Sequence, residues 1–468
     1  MSSLSLRESL LLLLGHKGWV NAEDSTPWQK DWLNNYGESP LGVARPHSTD
    51  EVSQVIKLCN DYGAHIVPRG GNTGLVGGSI LGTDNGIILS LDRMNKILQL
   101  DEASCTVSLE SGVILDNLHQ FLEVADLMFP MHLGSEGSAQ IGGLIATNAG
   151  GSHAFRYGMM QDLVLGLEVV LSDGAIWNGM RAVQKDNAGY QLRKLFCGSE
   201  GTLGIITKAV LKLSPKPRQE FTALLAVRDA SGLTELSKKL RAEAAEFLTA
   251  MEFFSDVGLD IVLNNISDLV YPMKTRASFY LLLEAGSGST TVPLDKILTD
   301  IMQWGIDENI ILDGALAQSD AQRLDFWRLR EDQPEGQFRL GAQLKHDISV
   351  PPGSLAEFLT IAGEECQEIL GGVRINAFGH LGDGNVHYNL SPCPGHQDFL
   401  GLESEFSFKL ASLATGLGGS FAAEHGLGRK KIVLADALRD PVERKMMLRI
   451  KNSFDDTNQL NPGVLICS

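Results

Sequence analysis

The sequence predicts an α+β protein of more than one domain, and three observations lead to this prediction. The chain of 468 residues is too long for one ordinary hydrophobic core. Its glycines are clustered in three stretches, at 68–78, 132–151 and 197–207, each beside a segment with strand character. After Pro217 glycine becomes sparse, and helical and strand patterns alternate to about residue 415.

Local patterns support this division. Helices are expected at 49–62, which has a Ser-Thr capping signal, and near 115–125, and strands are expected at 64–67 and, as a pair, at 87–91 and 105–112. Asp173-Gly174 lies between two apolar runs and predicts a hairpin. Pro215 and Pro217 mark a domain boundary.

Composition and charge exclude several classes of function. Hydrophobic residues make up 43% and charged residues 21%, which is typical of a soluble globular protein. The net charge of −18 provides no basic face for nucleic acid, so an acidic substrate would have to be bound by a few local cations. The apolar run Leu10 to Leu14 is too short for a signal or membrane segment and is typical of a short helix. We therefore expect a cytoplasmic protein, or one of the mitochondrial matrix in a eukaryote.

The cysteines indicate a reducing compartment. The six are Cys59, Cys105, Cys197, Cys366, Cys393 and Cys467. They lie far apart and form no CxxC pair, a pattern that favours free thiols over a disulfide framework.

The first glycine-rich stretch, PRGGNTGLVGG, has the composition of a phosphate-binding loop. Its few side chains let backbone N–H groups converge on phosphate oxygens, while Arg69 adds a cation and Asn72 and Thr73 add donors. It matches neither the Rossmann fingerprint nor a Walker loop. A single loop of this kind is often only a turn between strands, but three in one half of the chain predict a long, phosphorylated ligand.

PRGGNTGLVGG, IGGLIATNAGG and CGSEGTLGIIT together resemble the flavin-binding segments of the FAD-linked oxidase superfamily typified by vanillyl-alcohol oxidase. The resemblance implies that the first loop binds the pyrophosphate of FAD through Arg69, Gly70, Gly71, Asn72, Thr73 and Gly74. It implies that the adenosine and ribityl portions are lined by Gly142, Thr147, Asn148, Gly150, Glu200, Gly201 and Ile206. Residues 66–118 contain no histidine, so the FAD is expected to be non-covalent, although His132 and His153 leave a covalent link open.

The segment FGHLGDGNVHYNL at 378–390 indicates a hairpin that could bind a metal. If Asp383-Gly384 forms a two-residue type I′ turn, His380 pairs with His387 and the two imidazoles share one face. Glu424 would complete the His₂-carboxylate set of a catalytic site. The alternative is two structural histidines and a surface glutamate. Zn²⁺ suits two nitrogen ligands and one oxygen ligand best, and Mn²⁺, Fe²⁺ and Co²⁺ stay open.

FGHLGDGNVHYNL and AEHGLGRKK resemble the C-terminal signature of D-2-hydroxyglutarate and D-lactate dehydrogenases, and the resemblance extends from residue 45 to residue 465. It implies that the metal binds the hydroxyl and carboxylate of a 2-hydroxy acid and lowers the pKa of the alcohol. It implies that His425 takes the hydroxyl proton as general base and that the C2 hydride moves to the flavin. Asn389 is expected to hydrogen-bond the substrate or to lie near the metal.

Arg330 and Lys345 are the candidate cations for the substrate carboxylates. Lys345 alternates with apolar residues on a predicted strand and lies on its polar side with Asp347. Arg330 offers a bidentate fork. Each could instead form an ion pair on a solvated face, but both match substrate-contacting positions of D-2-hydroxyglutarate dehydrogenases. Pro334 stands where that branch is expected to have a hydroxyl-bearing residue, so either another group completes the distal-carboxylate site or the preferred acid is different.

The expected organisation has four parts: an N-terminal helical segment (1–35), a vanillyl-alcohol-oxidase-type FAD-binding domain (36–217), an antiparallel-sheet substrate-cap domain (218–420) and a C-terminal segment that returns to the FAD domain (421–468). The expected reaction is oxidation of a D-2-hydroxy acid, D-2-hydroxyglutarate first and D-malate also, to the 2-oxo acid. No nicotinamide fingerprint is present, and the resemblance implies an electron-transfer flavoprotein or a quinone as electron acceptor. A homodimer is compatible with the sequence.

Three other functions stay open at this point. A D-lactate dehydrogenase with a non-NAD acceptor would prefer a small monocarboxylate. A metal hydrolase would use the same His₂-Glu set to activate water and would be colourless. A catalytically inactive flavin-binding protein would be yellow but would not react with hydroxy acids.

Overall fold

The computed structural model describes residues 4–466, and the chain divides into two compact units. Unit 1 extends to Gly151 and continues through Tyr157–Pro215 and from Glu424 onward. Unit 2 consists of Ser152–Arg156 and Lys216–Ala423. The expected α+β class is confirmed.

The strands are β1 (Trp19–Asn21), β2 (Gly42–Ala44), β3 (His65–Arg69), β4 (Gly86–Ser90), β5 (Ile97–Asp101), β6 (Thr106–Glu110), β7 (Leu127–Met128), β8 (Val164–Val170), β9 (Ile176–Gly179), β10 (Ile205–Lys212), β11 (Ser214–Pro215), β12 (Gln219–Val227), β13 (Leu248–Ser255), β14 (Phe279–Ser287), β15 (Ile311–Leu316), β16 (Leu344–Ser349), β17 (Arg374–His380) and β18 (Asn385–Ser391). The helices are α1 (Leu6–Gly18), α2 (Thr49–Asp61), α3 (Leu115–Leu122), α4 (Ile141–Thr147), α5 (Ala154–Tyr157), α6 (Met160–Leu163), α7 (Leu192–Phe196), α8 (Ala230–Ala244), α9 (Asp256–Asn265), α10 (Leu294–Asp307), α11 (Asp320–Glu331), α12 (Gln333–Phe338), α13 (Leu355–Ile369), α14 (Glu403–Gly416), α15 (Ile432–Leu438) and α16 (Pro441–Phe454).

Unit 1 begins with α1 and a four-stranded sheet of order β1-β2-β4-β3. A capping box between Ser5 and Glu8 starts α1, and the helix buries Leu6, Leu10 and Leu14 on one stripe. The short apolar helix expected from the sequence is therefore confirmed. The expected helix at 49–62 is α2, whose N-terminus is capped by Ser48.

A five-stranded antiparallel sheet of order β5-β6-β10-β8-β9 forms the second layer of unit 1. Asp173-Gly174 lies in the hairpin between β8 and β9, as expected, and Gly174 has a φ of +80°. The expected pairing of the strands at 87–91 and 105–112 is wrong. β4 and β6 belong to different sheets, and β6 pairs with β5, which the sequence pattern did not reveal.

The final segment of the chain is part of unit 1. Leu460 forms a parallel bridge with Ile66 of β3, the strand at the edge of the first sheet. The buried Lys451 ammonium donates to the carbonyl oxygens of Thr202 and Leu460 at 2.9 and 2.8 Å and pairs with Asp455. Buried charges are stable only when paired in this way.

Unit 2 is built on a seven-stranded sheet of order β15-β12-β14-β13-β17-β18-β16, and every neighbouring pair is antiparallel. Alternate residues face two separate apolar cores: Phe253 packs with α8, α10, α13 and α14, whereas Phe254 packs with α9 and α11. Each such buried aromatic side chain stabilises the fold by about 1.5–3 kcal/mol. The polar residues discussed below lie on the second of these faces.

Two further features bear on the expected cellular compartment: membrane-spanning helices and the state of the cysteines. Among residues 4–466, no helix is both long and apolar enough to cross a membrane. The five cysteines within the described range are free thiols, and Cys467 lies outside the described residues.

Candidate active site

The three glycine-rich stretches come together in unit 1. The amide of Glu200, in the third stretch, donates to the carbonyl oxygen of Ala146, in the second, at 2.7 Å. Gly201 has a φ of +72°, and a Cβ at this position would overlap the ring of Pro68 in the first stretch. Glycine is required here because both the close approach and the backbone conformation exclude a side chain.

Buried polar atoms line the same region and test whether it suits a polar cofactor. Ser111 Oγ and Gln140 Oε1 are buried and have no hydrogen-bond partner within residues 4–466. Ser111 lies against Gly142, and the Gln140 side chain lies beside Gly70. A buried polar group without a partner costs about 1–3 kcal/mol unless a ligand or water satisfies it. These residues therefore fit a dinucleotide bound across the loops.

The residues expected to bind phosphate follow β3. Arg69 ends the strand, and its guanidinium donates to the carbonyl oxygens of Trp28 and Pro27 at 2.5 and 3.3 Å. Burial lowers the pKa of Arg69 to about 10. Asn72 has a φ of +58° and donates to the carbonyl oxygen of Lys30. Arg69 and Asn72 thus hold the loop against the N-terminal segment, a role that the sequence did not indicate. The loop also contains Gly70, Gly71, Thr73 and Gly74.

The other residues expected to line the flavin lie on or beside α4 and β10. They are Gly142 and Thr147 on α4, Asn148 directly after it, Gly150 in the following loop, Glu200 and Gly201 in the turn before β10, and Ile206 within β10. Asn148 has a φ of +50°, and its Oδ1 accepts from the amide of Gln161 at 2.9 Å. Its side chain therefore fixes the end of α4.

Glu200 also joins the C-terminal segment to the rest of unit 1. Its two carboxylate oxygens accept from the amides of Leu427 and Gly428, each at 2.9 Å. Burial raises the pKa of Glu200 to about 7 in spite of these hydrogen bonds. Glu424 belongs to the same C-terminal segment. A Cβ on Gly150 would overlap its carboxylate, so Glu424 lies against the second glycine-rich stretch.

The hairpin of β17 and β18 differs in register from the expectation. His380 pairs with Asn385, so the expected pairing of His380 with His387 is wrong. The loop contains four residues, 381–384, and the amide of Gly384 donates to the His380 carbonyl oxygen at 3.0 Å. The observed pairing differs from the expected one by two residues. Because side chains alternate between the faces with a period of two, every side chain stays on the expected face. The two imidazoles remain neighbours, with ring centroids 5.7 Å apart and an interplanar angle of 77°.

The sequence analysis missed Glu252, which is 1% exposed on β13 beside His380. Its Oε1 lies 2.5 Å from His380 Nδ1, and its Oε2 accepts from Arg330 Nη2 at 2.9 Å. Burial raises the pKa of Glu252, but the charges and hydrogen bonds of His380 and Arg330 outweigh burial and lower it. The Arg330 guanidinium also stacks 4.7 Å from the Phe378 ring centroid. One buried carboxylate therefore holds both a candidate metal ligand and a candidate substrate cation.

The second histidine also faces a carboxylate, at a longer distance. His387 Nδ1 lies 3.6 Å from Oδ1 of Asp347, which is 1% exposed on the adjacent strand β16. Asp347 in turn accepts from Asn385 Nδ2 at 3.0 Å. Metal-binding histidines are commonly oriented by a carboxylate at the second ring nitrogen. His380 and His387, with Glu252 and Asp347 behind them, thus fit a divalent metal; we call these four residues the unit 2 cluster.

Lys345 lies on the same polar face, as expected. It pairs with Asn389 across β16 and β18 and is half-buried. Burial lowers the pKa of Lys345, and the part of the chain that the structure describes gives it no ion-pair partner. A desolvated cation of this kind favours a bound carboxylate.

Further polar atoms near these cations were not foreseen. Asn376 pairs with Asn389 and is 1% exposed, and neither of its side-chain polar atoms has a partner within the described range. Arg330 Nε is buried and is likewise without a partner there. Pro334 is the second residue of α12, where its missing N–H costs nothing. The buried side-chain amide of Asn376 is therefore a candidate for the role of the hydroxyl-bearing residue that the resemblance led us to expect at position 334.

Two family models match the chain. The model described as FAD binding domain matches residues 40–179, and the model described as FAD linked oxidases, C-terminal domain, matches residues 216–465. Together they account for most of both units.

Relatives and solved structures agree with these matches. The chain is 35% identical to a mitochondrial D-2-hydroxyglutarate dehydrogenase of Arabidopsis thaliana, over 96% of this chain and 79% of that protein. It is 34% identical to a putative mitochondrial D-lactate dehydrogenase of Schizosaccharomyces pombe, over 92% and 83%. The fold is similar to that of p-cresol methylhydroxylase, with a TM-score of 0.77, 18% identity and coverage of 98% and 95%.

Proposed function

The chain belongs to the FAD-linked oxidases, and from this premise we propose that it oxidises a D-2-hydroxy acid to the 2-oxo acid with FAD as the hydride acceptor. The observation that carries the proposal is the polar face of unit 2, where Glu252 holds His380 and Arg330 within one hydrogen-bonded group. A pair of oriented imidazoles next to buried cations suits an anionic substrate that also binds a metal. The name of the Arabidopsis relative supports a D-2-hydroxy acid as that substrate.

The metal ligands in this proposal are His380, His387 and Glu424. The carboxylate of Glu252 orients the His380 imidazole through Nδ1, which assigns Nε2 of that ring to the metal, and Asp347 lies 3.6 Å from Nδ1 of His387. Two nitrogen ligands and one oxygen ligand suit Zn²⁺. FAD would supply the hydride acceptor and the metal a Lewis acid at the substrate oxygens.

Arg330 and Lys345 bind the carboxylates of the substrate. Arg330 is fixed by Glu252 and by the Phe378 ring, so little side-chain entropy is lost when it binds an anion. Lys345 is half-buried and has no ion-pair partner within residues 4–466, so a substrate carboxylate supplies one. Asn389, opposite Lys345, donates or accepts a hydrogen bond at the substrate.

His425 takes the proton of the substrate hydroxyl. Imidazole is suited to this step because its ordinary pKa is close to neutral pH. The residue directly follows Glu424 in the chain, so a metal ligand and a base are supplied by adjacent positions.

We propose D-2-hydroxyglutarate as the principal substrate, because two cations suit a dicarboxylate, with D-malate as a second. The alternative is D-lactate, which is favoured by Pro334 and by the name of the Schizosaccharomyces relative. The FAD is proposed to be non-covalent, and an electron-transfer flavoprotein or a quinone is proposed as the electron acceptor.

Anaerobic reduction of the bound flavin by a panel of acids tests the proposal. D-2-hydroxyglutarate is expected to bleach the flavin band fastest, followed by D-malate and then D-lactate. The L-enantiomers serve as matched controls and should leave the flavin oxidised. Fastest reduction by D-lactate would replace the principal substrate with the alternative. Failure of every D-hydroxy acid would reject the proposed reaction.

A further inference from the structure

A second group of metal-ligating side chains lies in unit 1, formed by residues that the proposed reaction does not use. Its members are His119 on α3 and His132 and Glu136 on the loop between β7 and α4, and we call them the unit 1 triad. Their ligand atoms all lie within 4.8 Å of one another.

The geometry of the triad is that of a shared carboxylate. His119 Nδ1 lies 3.2 Å from Glu136 Oε2, and His132 Nδ1 lies 2.9 Å from Glu136 Oε1. The two imidazole centroids are 4.7 Å apart. In a tetrahedral zinc site with bonds of about 2.0–2.1 Å, neighbouring ligand atoms are about 3.3 Å apart. The carboxylate oxygens already lie at about this separation from the two imidazole nitrogens, and the three ligand atoms all lie within 4.8 Å of one another.

The electrostatics favour a cation at this position. The Glu136 carboxylate places an anionic oxygen ligand beside two imidazole nitrogens, and such a donor set attracts a dication. A donor set with two nitrogens selects a transition-metal ion over Mg²⁺ or Ca²⁺, which prefer oxygen ligands.

The local backbone fixes the ligands before any ion binds. His119 is carried by the helix α3, and the amide of Leu133 donates to Glu136 Oε1 at 3.0 Å. The side chains of His119, His132 and Glu136 are 18%, 41% and 25% exposed, so solvent reaches the group and can supply a fourth ligand.

We propose that His119, His132 and Glu136 form a second metal site, one that takes a divalent transition-metal ion such as Zn²⁺ and has a structural role. The ion links α3 to the loop that leads into α4, which carries two of the residues expected to line the flavin. It stabilises this part of unit 1 because it binds the folded state alone. The proposal does not depend on the substrate or on the reaction of the enzyme.

Metal counting by elemental analysis tests this site against the one proposed for catalysis. The background is the FAD-loaded full chain with His380→Ala and His387→Ala, which removes the catalytic ion. This protein, dialysed against Zn²⁺, should retain one zinc per chain, and adding His119→Gln and His132→Gln should remove it. Gln is a suitable replacement because its amide does not reproduce the position of Nδ1.

His47→Gln provides the matched control. His47 Nδ1 lies 2.8 Å from Glu51 four residues along the chain, the same spacing as His132 and Glu136, but this pair belongs to none of the three-residue metal-ligating groups found within residues 4–466. His47→Gln in the same background should leave the zinc content unchanged.

A second readout covers variants that fail to fold. Co²⁺ added to the wild-type chain after chelator treatment should produce the strong visible absorption of a low-coordinate site, and Glu136→Gln should reduce its amplitude. Zn²⁺ should also raise the unfolding temperature of the wild type more than that of the His119→Gln, His132→Gln protein. A zinc content of zero in the His380→Ala, His387→Ala protein, or one unaffected by the unit 1 substitutions, would overturn the proposal.

Discussion

The unit 2 cluster and the unit 1 triad contain the same residue types but differ in where the carboxylates lie. In unit 2 Glu252 and Asp347 are each 1% exposed and lie behind the imidazoles, at Nδ1. In unit 1 the Glu136 carboxylate contacts Nδ1 of both imidazoles, at 3.2 and 2.9 Å, so all three side chains can bind the same ion. The unit 2 cluster therefore orients two histidines toward a third component, whereas the unit 1 triad contains its own carboxylate ligand and needs only a fourth ligand from solvent.

Burial separates the two groups further. Glu252 also pairs with the buried Arg330, so the unit 2 cluster is part of a larger network of charges. Such a network is costly to disturb, because removing one partner leaves the other charge buried and uncompensated. The unit 1 triad is partly exposed, and its Glu136 pairs with His119 and His132. Substitutions should therefore affect reactivity in unit 2 and only stability in unit 1.

The largest effect is expected from removing both imidazoles of the unit 2 cluster. His380→Ala with His387→Ala should reduce the rate of flavin reduction by about a thousandfold or more, because loss of the Lewis acid removes several kcal/mol of stabilisation. Stopped-flow absorbance measures the rate, and elemental analysis measures the metal. A variant with unchanged metal content would reject these histidines as ligands.

Lys345 and Arg330 should separate substrate binding from folding. Lys345→Met should raise KM by about 10- to 100-fold through loss of a charge-assisted hydrogen bond, without loss of stability. Arg330→Met should also destabilise the fold by about 3–5 kcal/mol, because Glu252 would remain buried with His380 as its remaining partner and without the guanidinium charge. Steady-state kinetics and thermal unfolding of the two variants test the difference. Equal stability of both variants would contradict the role assigned to Glu252.

Glu252→Gln tests the orienting role directly. The amide keeps the size of the side chain but weakens its hold on His380, so metal affinity should fall by about 10- to 100-fold. Competition with a chromophoric chelator measures this affinity. Glu284→Gln is a suitable control, since Glu284 is also buried in unit 2 but pairs with His153 and Trp327 instead. If the two variants bound metal equally, Glu252 would be no more than a structural residue.

The smallest effect concerns Glu136 in metal-free protein. Its pKa in the folded state is lowered to about 2 from an ordinary 4.5, so its contribution to stability is complete above pH 4.5 and is lost as the pH falls toward 2. With solvent screening this amounts to on the order of 1 kcal/mol. Glu136→Gln should flatten the decline in unfolding temperature below pH 4.5. Glu51→Gln, at a carboxylate with one histidine partner, measures what the second histidine adds.

The sequence predicted the faces of the unit 2 sheet correctly but not the details of its turns. Alternation fixes which residues of a strand share a face, so His387 was assigned with Asn389 and Lys345 with Asp347, and pairing of the two strands brings these residues to one face. The Asp-Gly signal suggested a two-residue turn, but Gly384 instead closes a four-residue loop by donating to the His380 carbonyl oxygen. Turn length depends on such backbone hydrogen bonds, which composition does not specify.

Long-range contacts explain the rest of what was missed. Glu252 is 128 residues from His380, and Glu136 is 17 residues from His119, so neither pair falls within a local motif. The glycine-rich stretches were recognisable because each has a distinctive composition of its own. The side-chain roles of Arg69 and Glu200 were not, since their partners lie in other segments of unit 1.

Anaerobic flavin reduction by D-2-hydroxyglutarate deuterated at C2 tests the central claim most directly. If the C2 hydride passes to the flavin, the deuterated acid should reduce wild-type enzyme more slowly than the protiated acid. His425→Ala, with FAD and metal retained, should show almost no reduction with either, since the general base contributes about 10²- to 10⁴-fold. Equal rates for the two isotopologues, at a step limited by reduction, together with rapid reduction of His425→Ala, would contradict the proposed chemistry.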